Sequence, residues 1–322
     1  MRRMSFIFAA LLMMLSVSCE RKPLLEPDHH HGSPVNIKVN VDVDVDVDVD
    51  VDVDVETGFD PELYKGILQT AQSVTIVAYP RSETAVYGVH KIDNLTGTIW
   101  LMPGDYDLLL YTSDFHELDG VFYRGIDNPG QAEAYTSAVK VSKTKEVKSY
   151  NIEPPDPLFT HYYENFTVVE GDNEVNEGLQ PMSYKYWFEV DVEGLDYISS
   201  VFMEIDGMYT SVFMADGTHR EDEYGTQTIE TTIHKDENKI KGEFFSFGPH
   251  QDSEVKNSMI LTFINGRTIR IKLDDISPEI KKLRKGGEIK IDQKIVINVG
   301  DSGAGFVPDV EDWEEEEVVI PI

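Results

Sequence analysis

The chain has 322 residues, 41% of them apolar, and a formal net charge of −31 from 28 Lys and Arg against 59 Asp and Glu. That length suits more than one domain of ordinary size, and that apolar fraction is enough to build packed cores. A body this acidic repels phosphate backbones and anionic headgroups, which excludes nucleic acid as a direct partner, and a single cysteine excludes an internal disulfide framework.

Arg2 and Arg3 precede an almost wholly apolar stretch, Met4 to Leu15, that is too short to span a bilayer. Ser16-Val17-Ser18 then leads into Cys19. This order predicts a lipoprotein signal over residues 1–18, cut before Cys19, with lipid attached to the cysteine. An ordinary secretory signal ending near a chance cysteine is the other reading. On the first reading the protein is tethered to a membrane by lipid and otherwise folded in water. Residues 19–34 carry Pro23, Pro27, Gly32 and Pro34 and read as a flexible tether. His29-His30-His31 within it could bind a transition metal, but no neighbouring pattern fixes or orients the ligands, so a solvated linker is the reading adopted.

From Val35 the chain alternates without a break to Val55, with aspartate at every even position from Asp42 to Asp54. A period of two with β-branched residues is a strand pattern. A strand of that length would reach roughly 70 Å, several times what one sandwich can pair. A slip of two residues restores the same pattern, so the repeat cannot set its own register. Val35 to about Val41 is therefore read as the true first strand and residues 41–55 as a tandem expansion, although the far end fits the same pairing equally well. Same-face aspartates lie about 7 Å apart along a strand, too far to share one ion. Val47 and Val53 also stand where a calcium loop needs glycine and glutamate.

Asp60-Pro61-Glu62 predicts an N-cap, a proline in the first turn and an acid at the positive end of a helix running to about residue 71. Strand signals follow at Ser73–Tyr79, Ala85–Ile92, Gly97–Leu101, Tyr106–Tyr111, Val121–Tyr123 and Ala134–Val141. Glu153-Pro154-Pro155-Asp156-Pro157 can continue neither a helix nor a central strand and is placed as a domain boundary. Beyond it come Phe166–Val169, Lys185–Val192, Ser199–Ile205, Thr210–Met214, Thr226–Ile233 and Gly242–Gly248. Met259–Phe263 and Thr268–Leu273 flank Asn265-Gly266, a strong hairpin signal. Ser277-Pro278-Glu279 opens a second short helix, Glu288–Val299 is the last long strand, and residues 309–322 form an acidic tail. The predicted fold is all-β: two consecutive antiparallel β-sandwiches, residues 35–153 and 154–308, with one or two short helices.

Several blocks carry a family resemblance. They are Cys19-Glu20 with the histidines at 29–31, the turn Leu101-Met102-Pro103-Gly104-Asp105-Tyr106, and Gly242 to Gly248. The Asn265-Gly266 hairpin running into Leu273-Asp274-Asp275-Ile276, and Asp312-Trp313, complete the set. In this order they resemble an uncharacterised family of Bacteroides-type cell-envelope lipoproteins, itself similar to the FimB-type fimbrial anchor lipoproteins. The resemblance implies two transthyretin-like sandwiches, an outer-membrane location and a part in fimbria-like assembly or adhesion. The Val-Asp repeat departs from that family, and the resemblance supplies no catalytic residue.

The chain has no nucleophile elbow, phosphate-binding glycine loop or dinucleotide fingerprint. His116-Glu117 lacks the second histidine of a zinc-protease helix, and His161-Tyr162-Tyr163 is read as packing between modules. No catalytic, cofactor-binding or metal residue is predicted; Cys19 is predicted as the lipidation site. The function expected is structural or adhesive, through strand addition at an open sheet edge, with fimbrial subunits or other surface proteins as partners. Glycan binding through exposed aromatic rings is the alternative, for which 15 Tyr and 15 Phe provide material.

Overall fold

This computed structural model of the protein describes residues 32–41, 60–113, 120–140, 150–253, 255–300, 307–310 and 316–317. Cys19, His29–His31, the repeat from Asp42 to Val55, His116 and Trp313 lie outside the described residues.

The near end of the alternating run is a paired strand, β1 (Ser33–Val41). Val35, Ile37 and Val39 are buried while Asn36 and Lys38 are exposed, as a period of two requires. β1 lies between β4 (Thr96–Leu101), antiparallel, and β11 (Asn173–Pro181), parallel. Side chains outside the repeat set its register: Thr98 Oγ1 donates to Asn36 Oδ1 at 2.8 Å, and Asn173 Nδ2 donates to the Pro34 carbonyl at 3.2 Å.

Helix α1 (Pro61–Leu68) follows from its cap. The Asp60 carboxylate accepts from the N–H groups of Glu62 at 3.0 Å and Leu63 at 3.4 Å. Tyr64 and Leu68, four apart on one face, are buried. Tyr64 also reaches the later half of the chain, because its hydroxyl accepts from the Lys185 N–H at 2.8 Å.

The first sheet has the order β3-β2-β5-β10-β11-β1-β4, with β2 (Ser73–Pro80), β3 (Gly88–Asp93), β5 (Gly104–Ser113) and β10 (Phe159–Val168). β10 meets β11 only at Phe159↔Pro181 and Thr160↔Gln180. The strands therefore act as two layers, β3-β2-β5-β10 and β11-β1-β4, closed around one core that includes Val35, Ile37, Ile76, Ile99, Leu108 and Phe159. The opposite faces of β2 and β5 are buried too. Val77, Tyr79, Leu109 and Tyr111 pack with Ala134, Val212, Met214 and Phe247. The cover includes a small sheet of β6 (Phe122–Arg124), β7 (Glu133–Tyr135) and β14 (Ser211–Phe213). Burial on both faces is why β2 and β5 read as unbroken apolar runs rather than alternating ones.

The later half packs two further sheets. One runs β16 (Thr232–His234), β17 (Lys239–Ser246), β12 (Tyr184–Glu193), β20 (Gly287–Gly300) and β21 (Val307–Val310). The other runs β22 (Glu316–Glu317), β19 (Thr268–Lys272), β18 (Asn257–Phe263), β13 (Ile198–Tyr209), β15 (Tyr224–Glu230), β9 (Tyr150–Ile152) and β8 (Ala138–Lys140). Their shared core includes Phe188, Val190, Met203, Ile205, Leu261 and Ile271. The hairpin forms at Asn265-Gly266, where Gly266 takes φ 84° and its N–H reaches the Phe263 carbonyl at 2.9 Å. A second helix, α2 (Ser277–Ile280), is a single turn. No helix among the described residues is long and apolar enough to cross a membrane.

The all-β class stands, with three corrections. The sheets are not purely antiparallel: β1 with β11, β12 with β20, and β9 with β15 run parallel, because each pair joins segments distant in sequence. The segment Glu153–Pro157 does not divide the sheets. β8 and β9 before it belong to a sheet of the later half, whereas β10 and β11 after it complete the first. Prolines stop a strand locally, but pairing partners decide which sheet it joins. Last, Ala134–Val141 is two strands in two sheets, β7 and β8, rather than one.

Candidate functional site

The first core has an open side. β3 ends one layer and β4 ends the other, so among the described residues each has an edge with no strand beside it. They are joined through Asn94 and Leu95. Asn94 adopts φ 65°, a conformation asparagine tolerates, and its N–H donates to the Gln72 carbonyl at 2.7 Å. The Leu95 carbonyl accepts from the Val39 N–H at 3.0 Å, which ties the crossing to β1.

Along β3, Gly88, His90 and Ile92 share one face, with Ile92 buried and Val89 and Lys91 exposed on the other. Along β4, Ile99 and Leu101 are buried and Trp100 is exposed. Gly97 has no room for a side chain, since a Cβ there would meet the Ile92 Cβ at 2.8 Å. Burial pushes the His90 imidazole below its ordinary range.

The far end of this side is held by the turn singled out in the sequence. The buried Tyr106 hydroxyl accepts from the Val86 N–H at 3.1 Å and donates to the Met102 carbonyl at 2.9 Å. Gly104, at φ 153°, lies so near Ser82 that a Cβ would meet its Oγ at 2.6 Å. The Asp105 N–H donates to that same Ser82 Oγ at 3.0 Å. The loop before β3 and the turn after β4 are thus clamped to each other. Val86, Tyr87, Val89, Trp100 and Met102 are all exposed, and all lie on the two edge strands or on the segments clamped beside them. Exposed apolar side chains on or beside strand edges that no described residue pairs are ingredients of protein contacts.

Two buried carboxylates brace the layers behind this side. Asp107 on β5 accepts from Arg81 at 2.9 Å, from the Tyr162 hydroxyl at 3.0 Å and from the Asn165 N–H at 2.9 Å. Burial pushes its pKa up, but these three donors outweigh it and hold the carboxyl below the usual range. The Asn165 contact fastens the bulge in β10, where Asn165 has φ 59°. Glu133 on β7 is 1% exposed and accepts paired bonds from Arg124 at 2.8 Å and from Arg220 at 3.0 Å. Here too burial raises the pKa and the guanidinium bonds more than offset it, leaving the carboxyl at about 2. His219 stacks on Tyr209 with ring centroids 4.1 Å apart, and its Nδ1–H donates to the Ser211 carbonyl at 2.9 Å. These groups link the small sheet to the body of the molecule.

His161 meets Glu177 at 3.5 Å within the first sheet. Tyr163 packs on the first core and Tyr162 on the layer beneath the small sheet, so this trio sits in packing positions. Among the described residues no group of three His, Cys, Asp or Glu is placed to hold a metal ion. Among the described residues, two exposed rings are tilted against the ring they touch. Tyr87 is tilted 53° from Tyr79, and Phe122 is tilted 33° from Tyr135. The Glu133 cluster and β11 were not foreseen: their members are far apart in sequence, and the pairing that assembles them leaves no local pattern.

The described residues define an all-β class of layered sheets. Within it the chain has a family: residues 18–230 match the family described as "Domain of unknown function (DUF5119)", and the chain belongs to it. It is similar to the Bacteroides ovatus protein named "Putative fimbrium anchoring subunit Fim4B", at 21% identity over 300 residues, 79% of this chain and 86% of that one. Among solved structures, a protein from Bacteroides ovatus described as "a putative adhesin" superposes with a TM-score of 0.55 at 18% identity, over 89% of this chain and 99% of that chain. The second likeness shows a shared fold.

Proposed function

We propose that this protein is an outer-membrane lipoprotein with a structural role in fimbria-like assembly or adhesion, acting through sheet-edge contacts rather than chemistry. Acylated Cys19 would hold it at the membrane, and the segment read as residues 19–34 would act as the tether. The body then comprises two transthyretin-like sandwich modules whose strands cross over at Pro154–Pro157, followed by an acidic tail from about residue 309. The observation that carries the reading is the open side of the first core. Two edge strands, β3 and β4, each with one edge that no described strand pairs, stand there beside exposed Val86, Tyr87, Val89, Trp100 and Met102. A strand from a fimbrial subunit could pair with either edge and cover those side chains. Similarity to a fimbrium-anchoring subunit supports the same partner class.

Two experiments test it. Growth with labelled palmitate should mark the wild-type chain and leave a Cys19→Ala variant unmarked; an unlabelled wild type would remove the lipid anchor. Recovery of envelope partners with and without residues 42–55 tests whether the Val-Asp repeat takes part in the contact. Equal recovery would assign the contact to the edges alone.

A further inference from the structure

The outer face of the small sheet gathers aromatic and arginine side chains away from the β3 and β4 edges. Residues directly opposite in an antiparallel pair share a face of the sheet. The registers Phe122↔Tyr135↔Ser211 and Arg124↔Glu133↔Phe213 therefore put these six on one side. Tyr123, Ala134 and Val212 fall on the other, against the layer beneath β2 and β5. Arg220, beyond the end of β14, reaches back over the outer face to Glu133.

Glu133 is the floor of this face and the two arginines are its cover. Each guanidinium turns its Nε and Nη2 toward the buried carboxylate. Each also lies against a ring, with Arg124 Cζ 5.0 Å from the Tyr135 centroid and Arg220 Cζ 5.1 Å from that of Phe213. Nη2 of Arg124 meets Glu223 as well, at 3.1 Å. The other terminal nitrogen, Nη1, makes no hydrogen bond to a described residue in either arginine. The two side chains are 44% and 41% exposed, and the neighbouring Phe122 is 43% exposed. The face thus offers donors already fixed in place beside an open ring, and fixing them beforehand lowers the entropy lost when a ligand binds.

Size decides what such a face can hold. Three strands of three residues cover about 10 Å each way, on the order of 100 Å². A stable protein contact takes roughly 800 Å² from each partner. The face therefore suits a single small ring rather than a protein. Phe122 and Arg124, two apart on one strand, stand about 7 Å from each other, the span of one pyranose ring with a carboxylate at its edge. Sugar C–H groups pack on the electron-rich face of an aromatic ring, and guanidinium groups favour a carboxylate.

We propose that the outer face of the small sheet binds an acidic sugar residue, with its ring on Phe122 and its carboxylate at the Nη1 ends of Arg124 and Arg220. Glu223 and the net charge of −31 oppose an anion, so one sugar should bind in the millimolar range and more weakly as salt rises toward levels that screen the arginines.

NMR titration of the purified full chain tests this with four small probes: sodium glucuronate, its methyl ester, glucose and sodium acetate. Glucuronate should bind several-fold more tightly than each of the other three and should shift the Phe122 ring and the Nε–H signals of Arg124 and Arg220. Phe122→Ala should keep the melting temperature and bring glucuronate binding down to the acetate level. Acetate or the ester binding as tightly as glucuronate, or shifts confined to other residues, would overturn the proposal. Tighter binding of N-acetyl-Glu-Phe-amide than of glucuronate would make this a peptide site and would overturn it too. These readouts involve no fimbrial partner, so their failure leaves the contact at β3 and β4 standing.

Discussion

Gly97 and Ile92 touch across the open side of the first core, at a spacing that only glycine allows: a Cβ on Gly97 would stand 2.8 Å from the Ile92 Cβ. This contact closes one end of the gap between β3 and β4, while the Tyr106 clamp closes the other. Between them no described strand pairs with either edge.

Gly97→Ala should therefore destabilise the first core. The Ile92 Cβ is fixed to its backbone and cannot swing away, so the layers must shift, at a cost of about 1–3 kcal/mol. Urea denaturation of the variant should show a lower midpoint. An unchanged midpoint would mean that β3 and β4 are not in contact here.

Tyr106→Phe keeps the buried ring and deletes the hydroxyl that joins the Val86 N–H to the Met102 carbonyl. Leaving both groups without a partner should cost about 1–2 kcal/mol. Faster amide exchange at Val86, with the β2 amides unaffected, would identify the clamp. Uniform acceleration across the sheet would point to general destabilisation instead.

Glu133 makes stability depend on acid. Its carboxyl lies at about 2 in the folded chain against 4.5 for the free group. A depressed folded pKa adds stability that is fully present above 4.5 and is lost as pH falls toward 2. The half-exposed Arg124 and Arg220 reduce the effect, which should be about 2 kcal/mol. Glu133→Gln should be less stable at pH 7 and should show a smaller loss between pH 5 and 2. A variant that loses as much stability over that range as the wild type would locate the acid sensitivity elsewhere, for instance at Asp107.

Local chemistry was legible in the sequence. The Asp60 cap, the Asn265-Gly266 hairpin and the alternation from Val35 to Val41 each depend on residues within a few positions of one another. The Leu101–Tyr106 turn was visible as a motif, and its clamp on Val86 became clear only in three dimensions. β11 was missed because Asn173, Val175, Leu179 and Pro181 alternate too weakly in hydrophobicity, and its burial depends on β1, which lies far earlier in the chain. The Glu133 cluster was hidden for the same reason, since Arg220 lies 87 residues from its partner. The boundary at Pro154 failed because strand-breaking residues report where a strand stops, not which sheet the next strand will join.

The contact proposed at β3 and β4 can be tested most directly by placing a charge there. Val89 is 54% exposed, so Val89→Lys should leave folding intact while blunting the edge to strand addition. Recovery of fimbrial subunits from envelope extracts should fall several-fold with Val89→Lys at unchanged melting temperature. Full recovery with the variant would contradict an edge contact at β3.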